Sequence, residues 1–237
     1  MKSNAVAATT LLLVLTAFLL GAQKAYAQEV RYSWMDLSFA AQDIDEMGSQ
    51  IPVVGQTVDV DAGDGDGVRF RASVGTWNNF YLFFDYRSAD VDVDAVVTNN
   101  QGVFPASDEF DYTAARGGLG YRIPLRFDTD VYAEVSFDSV DFDFGSFAGE
   151  NFDLDSQDVG ASIGVRKMFG DRLELRAYGR FTAAGDVELS MLELDNDTLF
   201  GAGFGFDIIR GFSIVGDYEA GEFSGWSLGF RLDLDED

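Results

Sequence analysis

Alternation of apolar and polar side chains with a period of two limits this chain more than any other feature, and it recurs about ten times. From Arg172 to Phe181, Leu173, Leu175, Ala177, Gly179 and Phe181 share one face, and Arg172, Glu174, Arg176, Tyr178 and Arg180 share the other. From Gln157 to Lys167, Val159, Ala161, Ile163 and Val165 alternate with Asp158, Gly160, Ser162, Gly164 and Arg166. Near the end, Trp226, Leu228, Phe230, Leu232 and Leu234 alternate with Ser227, Gly229, Arg231 and Asp233. Only a β-strand sends successive side chains to opposite faces. The pattern predicts strands over 31–42, 66–76, 80–92, 109–122, 130–142, 155–168, 172–184, 198–209, 212–220 and 224–234. Eight strands is the rival count, because the first strand is the least regular and the last hairpin is short.

Ahead of the strands, Lys2 gives a positive start, Ala5 to Leu20 is an apolar run, and Ala25-Tyr26-Ala27 is a small-x-small box. This is the layout of a secretory signal peptide cut before Gln28, with a leader at 1–27 and one domain at 28–237. A retained membrane anchor is the competing reading, and the shortness of the apolar run argues against it. No Cys follows the box, which excludes a lipid-anchored N-terminus. Beyond the leader no run of 18 apolar residues occurs, so no helix is expected to span a bilayer.

The chain carries 41 acidic and 16 basic residues, a formal net charge of −25, and losing Lys2 and Lys24 with the leader makes the remainder more acidic. Such a charge repels nucleic acid. Yet 14% of the residues are aromatic, 22 of them Phe, which an acidic disordered chain would lack. With no Cys there is neither a disulfide framework nor a thiolate metal site.

Connector lengths carry the next step. Short turns are expected at Trp77-Asn78-Asn79, 124–129, Phe169-Gly170-Asp171 and Ile209-Arg210-Gly211, with long acidic loops between them at 43–65, 93–108, 143–154 and 185–197. Short turns on one side and long loops on the other are the pattern of an up-and-down antiparallel β-barrel of the bacterial outer membrane, turns in the periplasm and loops outside. An even strand number returns both ends to the periplasm. A soluble sandwich or lipocalin-type barrel predicts the reverse, with large apolar side chains inside. Here the large apolar face is flanked by Trp34, Trp77, Tyr121, Tyr218 and Trp226, expected as aromatic rims at the lipid interfaces.

Three segments carry a family resemblance: Leu199-Phe-Gly-Ala-Gly-Phe-Gly-Phe, Phe212-Ser-Ile-Val-Gly-Asp-Tyr-Glu and Trp226-Ser-Leu-Gly-Phe-Arg-Leu. They resemble the small outer-membrane barrel family typified by the OmpA transmembrane domain and OmpX, over nearly the whole chain after the leader. Ser227-x-Gly229-x-x-Leu232-x-Leu234 resembles the C-terminal signal read by the barrel-assembly machinery, although Leu stands where aromatics are usual and Asp235-Glu236-Asp237 follow. The resemblance implies fold and location in a Gram-negative envelope, with outer-membrane lipid and lipopolysaccharide as surroundings. It implies no activity. The OmpA-type peptidoglycan-binding domain has no counterpart in this sequence.

Sorting the strands by face places Arg69, Arg71, Arg87, Arg116, Arg122, Arg166, Arg172, Arg176, Arg180 and Arg231 inward. Asp85, Glu134, Asp138, Asp158, Glu174, Asp207, Asp217 and Asp233 fall on the same face. In a narrow barrel they are expected to interlock as a charge-assisted network that fills the lumen. The alternative is a charged constriction that passes small solutes. A barrel of this size leaves little room, which argues against large-solute porin behaviour.

The segment Asp59-Val-Asp-Ala-Gly-Asp-Gly-Asp-Gly67 offers a weak calcium candidate in Asp59, Asp61, Asp64 and Asp66, against the plainer reading of an exposed acidic loop. It lacks EF-hand spacing and a closing Glu. The chain has no His, so the Ser–His or Asp–His apparatus of outer-membrane hydrolases and acyltransferases cannot be assembled. No enzyme, no cofactor and no metal are expected. What remains is a structural or surface-interaction barrel, or a narrow passive channel. Phe142, Phe144, Phe147 and Phe152 favour interaction, as apolar residues expected to stand above the membrane.

Overall fold

In the computed structural model the backbone is described for residues 31–44, 51–53, 56–61, 63–99, 102–147, 150–182, 187–189, 192–194, 198–221 and 223–234. Side chains are described for 31–43, 63–92, 109–143, 155–182, 198–221 and 224–234. The segment 1–27, expected to be a leader, lies outside the described residues.

The described residues form strands and no helix: β1 (Trp34–Ile44), β2 (Ile51–Val53), β3 (Gln56–Asp61), β4 (Asp64–Gly75), β5 (Phe80–Asn99), β6 (Gly102–Pro124), β7 (Thr129–Phe147), β8 (Glu150–Phe169), β9 (Leu173–Phe181), β10 (Val187–Leu189), β11 (Leu192–Leu194), β12 (Thr198–Ile209), β13 (Phe212–Ala220) and β14 (Phe223–Asp233). Ten of them, β1, β4 to β9 and β12 to β14, pair antiparallel with their neighbours. Pairing of β1 with β14 and of β5 with β6 completes the ring, so the sheet is a closed ten-stranded barrel. Closure removes free strand edges, the condition for a sheet to cross lipid.

The short turns follow from their residues. Asn78 and Asn79 both adopt positive φ, 55° and 68°, as a two-residue hairpin turn matched to strand twist requires. Gly170 and Gly211 take positive φ at two other turns.

At the opposite end the expected long loops give way to strand. β5, β6, β7 and β8 run 20, 23, 19 and 20 residues, about twice the length needed to span a bilayer at a tilt. β3 pairs with the far end of β5, in line with β4, and β2 folds back on β3. The alternation of acid with Val or Phe simply continues past the membrane level. The segment 185–197 contains a small hairpin of β10 with β11.

On the outside, Leu37, Phe39, Val68, Leu82, Leu119, Val135, Phe137, Val159, Ile163, Phe204, Leu228 and Phe230 are 39–63% exposed, and they encircle the barrel in a continuous apolar belt. Water would not tolerate such a surface. The chain is an integral membrane barrel of the outer-membrane kind. Tyr121, Tyr218 and Trp226 lie on this outer face and Trp77 stands exposed in a turn, but Trp34 does not join the rim. Its ring turns inward, 7% exposed, beneath the guanidinium groups of Arg71 and Arg231.

Candidate functional site: a charged lumen

Inside the barrel, four acids act as hubs. Asp217 on β13 accepts from Arg176 Nε at 2.8 Å and pairs with Arg71 at 2.7 Å, and Arg71 also pairs with Asp36 at 2.9 Å. Glu219 accepts from Arg87 at 2.6 Å, the Tyr178 hydroxyl at 2.5 Å and Arg69 at 3.4 Å. Arg69 holds Asp85 with two N–H groups, at 2.9 and 2.6 Å. Glu134 on β7 receives Arg116 and the Tyr81 hydroxyl at 2.9 Å each, and the Ser162 hydroxyl at 2.6 Å. Glu174 on β9 receives Arg166 at 2.6 Å and Arg231 at 3.1 Å.

Strand register brings these charges together. Arg231, Asp36, Arg71, Asp85, Arg116 and Asp138 stand directly opposite one another on six successive strands, alternating in sign. Opposite charges on facing strands stabilise a pair, and Arg71 and Arg116 each have an acid on either side. Large rings fill the rest. Tyr132 lies over Gly164 and Tyr178 over Gly201, so close that a Cβ on either glycine would sit 2.4 or 2.2 Å from the ring.

The inward assignments divide as follows. Arg69, Arg71, Arg87, Asp138, Arg166, Glu174, Arg176, Asp217 and Arg231 are buried, and Asp85, Arg116, Arg122, Glu134, Arg180 and Asp207 are half-buried. Arg122 approaches Asp130 at 3.6 Å, and Asp207 accepts from Ser213 at 2.5 Å. Asp233 pairs with Arg31. Two assignments are corrected. Arg172 sits exposed in the turn after β8, because the strand begins one residue later. Asp158 keeps the inward register opposite Asp138 but is exposed, and its carboxylate accepts the Val159 N–H.

Sequence reasoning missed Asp36, Glu219, Asp130 and the aromatic stopper of Tyr32 and Trp34. Tyr32 packs at a tilt against Tyr81 with ring centroids 4.6 Å apart, and Arg122 and Arg166 lie over its face. The signal was present: Trp34, Asp36, Ser38, Ala40 and Gln42 alternate with Met35, Leu37, Phe39 and Ala41. Glu219 follows Asp217 by two residues on the same face.

The four residues of the calcium candidate lie along β3 and β4 rather than in a loop. Along an extended strand, alternate residues are about 7 Å apart and cannot close around one ion. The side chains of Asp59 and Asp61 lie outside the described residues. Among the described residues no group of three or more acids is placed to hold a metal. Phe142 does not stand unburied above the membrane; it points into the barrel, fully buried. The side chains of Phe144, Phe147 and Phe152 lie outside the described residues.

Among solved structures, the chain is similar to the β domain of the Bordetella autotransporter BrkA, at 13% identity over 86% of this chain and 99% of that one, TM-score 0.45. It is similar to the outer membrane protein OprG from Pseudomonas aeruginosa, at 10% identity over 89% and 100%, TM-score 0.43. Neisserial surface protein A, NspA, is 12% identical over 85% and 96%, TM-score 0.39. These likenesses concern the fold alone. No protein-family model and no curated protein matches the sequence.

Proposed function

We propose that this protein is a closed structural barrel of the bacterial outer membrane, exported by a leader cut before Gln28, that contributes to envelope integrity and presents acidic extended strands to the surroundings. The observation that carries this reading is the interlocked lumen. Cavities of about 40, 70 and 20 Å³ remain between the ion pairs. The first two are parted by Arg69, Asp85, Arg116 and Glu219, which line both. Each holds a few water molecules at most, where a solute path needs a continuous bore.

Orientation follows the general rule that short turns face the periplasm. Biogenesis by the barrel-assembly machinery is supported by the alternating last strand, Trp226 to Leu234. The apolar belt fits contact with the acyl chains of lipopolysaccharide. The reading includes no catalysis.

The role is tested in cells carrying a deletion of residues 143–152, which removes the β7–β8 tip. Reduced surface adhesion or detergent resistance, with the barrel still assembled, is the expected outcome. Unchanged values for both would remove the surface-interaction role.

A further inference from the structure

On β4 to β7 both faces of the wall change character at one level. Below it the outer face is apolar and the inner face charged. Above it Asp66, Asp90, Asp111 and Asp143 stand opposite one another on the outer face, all exposed. At that same level the inner face turns apolar: Val91, Phe110, Val140 and Phe142 are 0–6% exposed. Phe142 packs on Phe110 and Tyr112 with ring centroids 6.0 and 5.6 Å apart. A change of surroundings from lipid to water produces this exchange, because a wall in water must bury its apolar side inward.

The cluster lies directly over charge. Tyr112, Val140 and Leu199 line a cavity of about 40 Å³ together with Arg87, Arg116, Arg180 and Asp138. Both carboxylate oxygens of Asp138, and Nε of Arg116 and of Arg180, are buried there without a hydrogen-bond partner. Charged atoms in that state draw water strongly. Below it, Arg69 has Asp85 and Glu219 within ion-pair distance, and Arg71 has Asp36 and Asp217. An apolar constriction, by contrast, excludes ions by dewetting.

We propose that Val91, Phe110, Tyr112, Val140, Phe142 and Leu199 form an apolar seal over the lumen, which keeps ions and solutes of the extended side from reaching the ion-pair network beneath it. The proposal rests on the closed-barrel reading and assigns the closure to named residues.

Because the chain has no cysteine, a single introduced thiol reports access. Ala114 lines the cavity beneath the seal, and Asp111 is exposed on the outer wall. In the refolded protein in phospholipid vesicles, Ala114→Cys reacts slowly with a charged, membrane-impermeant methanethiosulfonate, against the fast rate set by Asp111→Cys. Adding Phe142→Ala raises the rate at position 114 roughly tenfold or more. If Phe142→Ala does not refold, Leu199→Ala removes the seal from the β12 side and is read in the same way. A thiol at 114 that reacts as fast as one at 111 with the seal intact, or a rate unmoved by the opening substitution in a folded barrel, overturns the proposal. Failure of the closed-barrel reading shows separately, as conductance of the unsubstituted protein.

Discussion

At the scale of single residues, the lumen is held by contacts with no slack. A Cβ at position 201 would lie 2.2 Å from the Tyr178 ring, whereas one at Gly179 would find its nearest neighbour, Phe200, at 3.7 Å. Gly201→Val is therefore expected to cost about 1–3 kcal/mol of stability, and Gly179→Ala close to nothing, read as urea-unfolding midpoints in micelles. Asp217 is the acid shared by Arg71 and Arg176. Asp217→Ala strands buried Arg176, leaves Arg71 with Asp36 alone, and is expected to cost about 3–5 kcal/mol. A cost below about 1 kcal/mol, the range of exposed pairs, would show that the hub is not buried from water.

At the scale of elements, β1 shows where sequence reading stopped. Its alternation placed Met35, Leu37 and Phe39 on the lipid face, but Trp34 had been assigned to the rim on residue type, since Trp is common there. Face parity, which puts Trp34 with Asp36 and Ser38, was the better guide. Fluorescence separates the two placements. A variant keeping only Trp34 is expected to resist quenching by brominated acyl chains, and one keeping only Trp226, 48% exposed on the belt, to be quenched. Equal quenching would return Trp34 to the lipid.

The extended ends of β5 to β8 make a second case. Their acids at 93–108 and 143–154 read as solvated loops, whereas the alternation of acid with Val or Phe at 89–94 and 139–144 reads as strand extended beyond the membrane. The outer row of carboxylates carries a cost of its own. The Asp111 carboxyl is pushed above its ordinary value by partial loss of hydration, by its hydrogen bond with Asp90 and by the charges of Asp90 and Asp143. A carboxyl raised in this way is protonated more readily folded than unfolded, so stability is gained as pH falls through the raised value and lost as pH rises through it. Trimming of the extension by proteinase K, relative to that of an unstructured peptide at the same pH, should therefore slow as pH falls toward the raised carboxyl value, and slow in high salt, which screens the row. Faster trimming on mild acidification would contradict this.

At the scale of the whole molecule, ten strands, closure and the lipid belt were legible because the environment imposes a period of two wherever one face meets lipid. The network was legible only in part. Which Arg face inward follows from parity, as for Arg69, Arg71, Arg176 and Arg231. Which acid each one meets depends on strand register, and Glu219 bonding Arg87 and Arg69 across the barrel leaves no mark in a linear sequence. The apolar seal was hidden for the same reason, since Phe110, Phe142 and Leu199 come from β6, β7 and β12.

The most direct measurement is conductance of the refolded protein in a planar bilayer, beside an Arg116→Ala, Arg176→Ala double variant. A silent unsubstituted protein, with a variant that is less stable and leaks irregularly, is the predicted result. Discrete conductance steps in the unsubstituted protein, altered in size or ion selectivity by the two substitutions, would contradict the closed barrel and make the inward Arg residues the lining of a channel.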